Sequence, residues 1–283
     1  MKDQLISLKV IEPIVIMLNT AINIKPTTGV LLVAPPGSGK SALIRQIKGK
    51  GILIVDDLTA KSIDTLIEEN RGVRLIGISD MNTVLARTSQ SSPLNVMLNL
   101  TEEGYLGTLR YKSINTKEKT FITFVGGITT DRFQDVKKKL KDTGLLSRMI
   151  LIHYSYTPEE QEEILKEIKD RRVNLENVDL RIELRDNIVL KELSPEASRY
   201  IDNHILPLFK GDGAIRQFKR FLNFAKTLGT LYGVENEITD RDVAFASALL
   251  ETYSSYITPG TYSKFINNLR KWYLKTKGGR TWQ

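Results

Sequence analysis

The eight residues Ala34-Pro-Pro-Gly-Ser-Gly-Lys40-Ser41 constrain this chain more than any others, because they stand between an apolar run and a helical repeat. The run is Gly29 to Val33, and apolar residues return after the motif at Leu43, Ile44 and Ile47. A strand, a glycine-rich turn and a helix in that order make a phosphate-binding loop. Gly37 and Gly39 let backbone N–H groups close around phosphate oxygens, Lys40 reaches the terminal phosphates, and the Ser41 hydroxyl is placed to ligate Mg²⁺. Pro36, Gly37, Ser38, Gly39, Lys40, Ser41 and Ala42 are therefore the expected contacts of a nucleoside triphosphate, with ATP and Mg²⁺ as the ligands. Ala34 holds the opening position that is usually Gly. The competing reading is a glycine-rich turn without a ligand.

Composition closes off several other chemistries. Cysteine is absent, which excludes disulfides and thiolate metal sites, and two histidines, His153 and His204, cannot build a zinc centre by themselves. His153 is expected to be structural. No apolar run approaches the roughly 18 residues of a membrane span, and the start Met1-Lys-Asp-Gln-Leu-Ile lacks the apolar core of a secretory signal, so a cytoplasmic protein is expected. Apolar residues make up 41% of the 283, enough for an ordinary core, and the formal net charge of +8 favours a polyanionic partner.

Apolar runs recur along the chain with helical spacers between them, which predicts a parallel sheet covered on both faces. Five strands are expected, at Gly29 to Val33, Ile52 to Val55, Val73 to Ile78, Phe121 to Val125 and Met149 to His153. Helices are expected at Ala60 to Glu69 and Pro93 to Leu100. In the later half, Thr239 and Asp242 form a capping box, with Ile238 and Val243 as a hydrophobic staple, for a helix from Asp240 to about Ser255. Ala214 to Leu228 carries apolar residues at spacings of three and four, and Pro195 begins another helix. The fold class expected is α/β, a P-loop three-layer core with a five-stranded parallel sheet, followed by a small helical lid domain. The segments are a helical stretch at 1–25, the nucleotide core at 26–156, a connector and lid at 157–258, and a basic, aromatic tail at 259–283. The boundary itself is expected between Tyr156 and Leu190.

With these segments in view, the chain resembles the AAA+ ATPases, and among them the minichromosome-maintenance helicases and related ATPases of viruses and mobile elements. The resemblance rests on the P-loop, on Leu75-Ile-Gly-Ile-Ser-Asp80, on Gly144-Leu-Leu-Ser-Arg-Met149, and on Ala214 to Leu222 followed by Ile238 to Ala246. It implies a Walker B acid at the end of the third strand, beside the P-loop strand, which makes Asp80 the second metal-binding residue with Ser41. Asp56 and Asp57, after the apolar run Ile52 to Val55, are the alternatives. Met81 follows Asp80 where the family has a catalytic Glu. Asn82 can position a water without deprotonating it, and Asp56 or Asp57 is expected to supply a relocated carboxylate. Thr129 or Thr130 matches the polar sensor, although either also fits a helix N-cap. Arg148 matches the arginine finger that acts on a neighbouring subunit's site, and Arg216 the second sensor, with Arg220 as its alternative.

A finger acting in trans implies a closed homo-oligomeric ring, expected to be a hexamer. Single-stranded DNA is the expected partner. A hairpin from Tyr105 to Phe124 would project Lys112, Lys117 and Lys119, and the tail interleaves basic and aromatic residues from Tyr262 to Trp282. The expected function is a DNA-acting ring ATPase, helicase or translocase-like, in the replication of a mobile or viral element. Two alternatives stand beside it. One is a nucleotide-gated scaffold or loader that assembles on DNA without unwinding, favoured by the missing Glu. The other is a protein-remodelling ATPase, disfavoured because Leu58-Thr59-Ala60-Lys61 lacks the aromatic-Gly pore motif.

Overall fold

A computed structural model describes residues 8–25, 27–59, 72–86, 121–142, 144–171, 182–211 and 213–253, with single positions at 62–63, 65, 69, 97 and 100–101. The expected helices at Ala60 to Glu69 and Pro93 to Leu100 fall largely outside these residues. The hairpin lysines and the tail from 254 onward lie outside them altogether.

Five parallel strands form the sheet: β1 (Gly29–Ala34), β2 (Ile52–Val55), β3 (Leu75–Ile78), β4 (Thr123–Thr129) and β5 (Met149–His153), in the spatial order β2-β3-β4-β1-β5. Every residue of β1 is buried, as a strand paired on both sides and covered on both faces requires. The topology corrects one expectation. The third strand is not beside the P-loop strand, because β4 lies between them, and the acid after β3 reaches the loop across that intervening strand.

Side-chain alternation sorts the two layers that flank the sheet. Leu31, Val33, Ile76, Ile78, Phe124 and Ile128 face one core, shared with Met81, Val84 and Leu85 of α3 (Met81–Ala86) and Phe133, Val136 and Leu140 of α4 (Thr130–Asp142). On the opposite face, Ile44 of α2 (Lys40–Arg45) lies against the bare backbone of Gly77 and Gly127. α1 (Leu8–Ile22) buries Ile11, Ile14, Met17, Leu18, Ala21 and Ile22 and packs on β1, β4 and β5. This is the three-layer α/β core that the alternation of runs and spacers predicts.

The first compact unit runs to Asn187, toward the far end of the window set by Tyr156 and Leu190. Beyond α5 (Pro158–Arg171), a short segment is tied back by buried asparagines. The Glu183 N–H donates to Asn19 Oδ1 at 2.9 Å and the Arg185 N–H to Asn23 Oδ1 at 2.8 Å. Lys48 and Leu184 complete it, with Lys48 N–H on the Ile182 carbonyl and Leu184 N–H on the Lys48 carbonyl, both at 2.8 Å. Two buried amides are thereby satisfied by backbone that carries no strand pattern of its own.

The second unit is helical, with α6 (Pro195–Tyr200), α7 (Ala214–Tyr232) and α8 (Asp240–Tyr253). Ser194 caps α6 by accepting from the Ala197 N–H at 3.1 Å, with Pro195 in the first turn. The capping box of α8 forms as its spacing predicts. Asp242 N–H donates to Thr239 Oγ1 at 3.3 Å, and Thr239 N–H donates to Asp242 Oδ2 at 2.9 Å. Ile238 and Val243 are both buried beneath it. Among the described residues, no helix is long and apolar enough to cross a membrane.

His153 closes β5 edge-on against Phe133, with ring centroids 5.1 Å apart. Burial, and secondarily the Lys137 charge, hold its pKa below the usual value, so the fold favours the neutral ring. The unfolded chain then binds the proton more readily, and this contribution to stability is present above about pH 6.5 and lost as pH falls through the folded pKa. His153→Gln should flatten the stability profile on the acid side of pH 6.5 relative to wild type, as measured by urea unfolding at a series of pH values.

Candidate nucleotide site

The loop that leaves β1 owes its shape to two left-handed glycines, Gly37 at φ +74° and Gly39 at φ +82°, conformations that a Cβ would strain. Gly39 turns directly into α2. Hydrogen bonds inside the loop hold the turn. Ser38 Oγ donates to the Pro35 carbonyl at 2.7 Å, and Lys40 Nζ donates to the carbonyls of Ala34 at 2.8 Å and Pro35 at 2.7 Å and to Ser38 Oγ at 3.3 Å. Burial lowers the Lys40 pKa, and the nearby Asp80 carboxylate opposes that shift. A buried ammonium served by neutral carbonyls gains a stronger, charge-assisted partner when a phosphate oxygen approaches.

Asp80 leaves the end of β3 toward this loop. Its Oδ1 accepts the Asn82 N–H at 2.9 Å, and Ser41 Oγ donates to the Ser79 carbonyl at 3.1 Å, fastening the loop helix to the β3 end. Close approach needs the glycine in β4. A Cβ at Gly127 would lie 3.1 Å from the Ser79 carbonyl oxygen and 3.4 Å from Lys40 Cβ. Thr129 is paired in register with Ala34, the residue from which the loop departs, and Thr130 opens α4.

Two buried oxygens at the β3 end, Ser79 Oγ and Asn82 Oδ1, have no hydrogen-bond partner among the described residues. Orphaned oxygens of this kind call for a ligand, an ion or ordered water. The Ser41 hydroxyl, bonded to the Ser79 carbonyl, and the Asp80 carboxylate are oxygen groups, the hard donors that Mg²⁺ and its bound waters prefer. The residues present therefore fit a magnesium-bound triphosphate, with Ser41 and Asp80 as the groups to hold the metal.

Other expected site residues are placed differently. Asp56, with a side chain 87% exposed, sits 3.9 Å from Arg45, and Asp57 Oδ1 accepts the Leu58 N–H at 2.7 Å. Both follow β2, the sheet edge three strand positions from β1, or about 14 Å at the usual spacing, whereas Asp80 starts two positions away. Met81 is buried in the core, and a Cβ at Gly126 would lie 2.4 Å from its Cγ. Position 81 in this chain is thus a packing position, turned away from the loop face that Gly127 lines.

Arg148 ends a 3₁₀ turn, Leu146–Arg148, immediately before β5. Its Nη1 donates to the Gly144 carbonyl at 3.2 Å, and its own carbonyl accepts from Thr28 Oγ1 at 3.1 Å. Because β5 runs parallel to β1, with Gly29 opposite Met149 and Val33 opposite His153, Arg148 lies at the amino-terminal end of the strands, opposite to the loop at their carboxyl-terminal end. Arg216 is exposed in the first turn of α7 and Arg220 is buried one turn on, both in the second unit.

One pair escaped the sequence reading. The hydroxyls of Tyr154 and Tyr156 both donate to the Ser38 carbonyl, at 3.3 and 3.2 Å. Burial raises the Tyr154 pKa, aided by Tyr156, and burial with the Glu160 charge pushes Tyr156 up to about 12, so both stay protonated donors near neutrality. The signal was present as two aromatic residues spaced by two just past a buried strand, a pattern that puts both side chains on one side.

This fold is shared with a full-length MCM homologue from Methanopyrus kandleri, at a TM-score of 0.50 and 11% identity, covering 89% of this chain and 56% of the homologue. A second solved structure, of the active helicase SCCmec type IV Cch, aligns at a TM-score of 0.38 and 13% identity over 93% of this chain and 47% of that one. The chain thus spans about half the length of these two proteins. No family model matches it, nor does any curated protein. The resemblance to minichromosome-maintenance-type ATPases carried by the motifs is accompanied by a common fold.

Lys40→Ala should weaken ATP binding about tenfold or more, the worth of a charged hydrogen bond, and abolish most of the rise in melting temperature that ATP with Mg²⁺ gives the wild-type chain. Thermal unfolding across an ATP titration measures both.

Proposed function

We propose that this chain binds ATP with Mg²⁺, hydrolyses it, and uses the cycle to act on DNA as a ring-forming helicase or translocase. One observation carries the reading: the phosphate-loop residues Ser38 to Ser41, Asp80 and Thr129 come together at the carboxyl-terminal ends of parallel strands, in a fold shared with an MCM homologue. Backbone N–H groups of the loop and the Lys40 ammonium hold the phosphates. Ser41 and Asp80 hold the metal, which when bound neutralises charge on the transferring phosphoryl group. Thr129, at the β4 end beside the loop, contacts the terminal phosphate or the attacking water. Asn82 positions that water, with Asp56 or Asp57 as the relocated carboxylate.

The place of Arg148 supports assembly. β5 spans five residues, about 16 Å at the usual rise, and an arginine just before it does not reach the loop at the other end of the strands. It serves instead a neighbouring copy's phosphates, which makes the complete site an intersubunit one and the assembly a closed ring, six-membered by analogy. Arg216 is the proposed second phosphate sensor. Single-stranded DNA passes along the ring, with Lys112, Lys117 and Lys119 as its contacts, in keeping with the net charge of +8. Replication of a mobile or viral element is the proposed setting, and the cytoplasm the proposed compartment.

A second reading is favoured by Met81. With that position committed to the core against Gly126, no carboxylate follows Asp80, and a nucleotide-gated scaffold that assembles on DNA without unwinding becomes the alternative. ATP turnover with and without single-stranded DNA separates the two. The motor reading expects DNA-stimulated turnover that falls as salt rises, and a loss of turnover but not of ATP binding in Arg148→Ala. Tight ATP binding and assembly on DNA with no turnover would leave the scaffold.

A further inference from the structure

The Ser38–Gly39 peptide has little local reason to adopt one orientation. Gly39, at φ +82°, tolerates both signs of φ, so its own sterics leave the preceding peptide free to turn over. A planar trans peptide points its C=O and N–H in opposite directions, and whatever holds the Ser38 carbonyl therefore aims the Gly39 N–H.

Two side chains hold it. Past the end of β5 the chain runs Tyr154-Ser-Tyr156, and residues two apart in extended backbone project to the same side. Their rings lie 5.9 Å apart, and their hydroxyls stand 3.3 Å and 3.2 Å from the one Ser38 carbonyl oxygen. Two donors match the two lone pairs of that oxygen. Tyr154 is buried to 7% exposure, so its ring position is set by packing.

We infer that Tyr154 and Tyr156 are positioning residues for the nucleotide phosphates: by gripping the Ser38 carbonyl from outside the loop, they aim the Gly39 N–H at the phosphate. The inference rests on the nucleotide reading above and adds to it a restraint supplied from the segment that follows β5. The tyrosines act through the peptide and touch no phosphate themselves.

Tyr154→Phe, Tyr156→Phe and the double variant keep the rings and remove the hydroxyls. Equilibrium titration with ATP and Mg²⁺ should show affinity reduced about three- to tenfold in each single variant, the worth of one hydrogen bond, and further in the double. The melting temperature without nucleotide should stay close to wild type, and KM for ATP should rise by more than kcat falls. Wild-type affinity in the double variant, with binding still lost in Lys40→Ala, would overturn this inference alone. A fall in nucleotide-free stability that matches the loss of affinity would also overturn it, because the hydroxyls would then serve the fold. A wild-type chain that binds no ATP would overturn the nucleotide reading and this inference with it.

Discussion

Pairing of β1 to parallel neighbours on both sides is the constraint from which the rest follows. Register with β4 sets Thr129 opposite Ala34, and register with β5 sets His153 opposite Val33, so the loop and its neighbours leave the sheet at the carboxyl-terminal end of the strands. The same pairing puts Arg148 at their amino-terminal end. The shared strand direction thus gathers the glycine-rich loop and Thr129 at one end of the strands and leaves Arg148 at the other.

Glycines make this arrangement fit. Gly77 and Gly127 let α2 lie close to the sheet, with Ile44 and Lys40 almost against backbone. Gly126, on the other face, receives Met81. The consequences differ. Close packing on the α2 face brings the Ser79 carbonyl within reach of Ser41, while the Met81 contact removes position 81 from chemistry. Any acid that prepares a water must come from elsewhere, which is why Asn82, with its buried and unpartnered Oδ1, gains weight as a positioning group.

Most of the architecture was legible in the sequence because the signals were local. The buried β1 run, the P-loop spacing, the capping box at Thr239 and Asp242 and the Pro195 helix start each depend on residues a few positions apart. What was not legible depends on contacts distant in sequence. Glu183 and Arg185 are held by Asn19 and Asn23, more than a hundred and fifty residues away, and no periodicity in 182–187 announces it. The Tyr154 and Tyr156 grip on Ser38 is of the same kind, spanning 116 and 118 residues. Strand order was misjudged for the same reason, since insertion of β4 between β3 and β1 is a long-range pairing that apolar runs alone do not specify.

The central claim is that Lys40, Ser41 and Asp80 form one magnesium–triphosphate site, and the dependence of ATP affinity on Mg²⁺ tests it most directly. Titration of wild type, Asp80→Asn and Asp57→Asn with ATP, with and without Mg²⁺, should show a gain from the metal in wild type and Asp57→Asn that is largely lost in Asp80→Asn. A magnesium-dependent gain that survives Asp80→Asn and disappears in Asp57→Asn would contradict the account and move the metal to the end of β2.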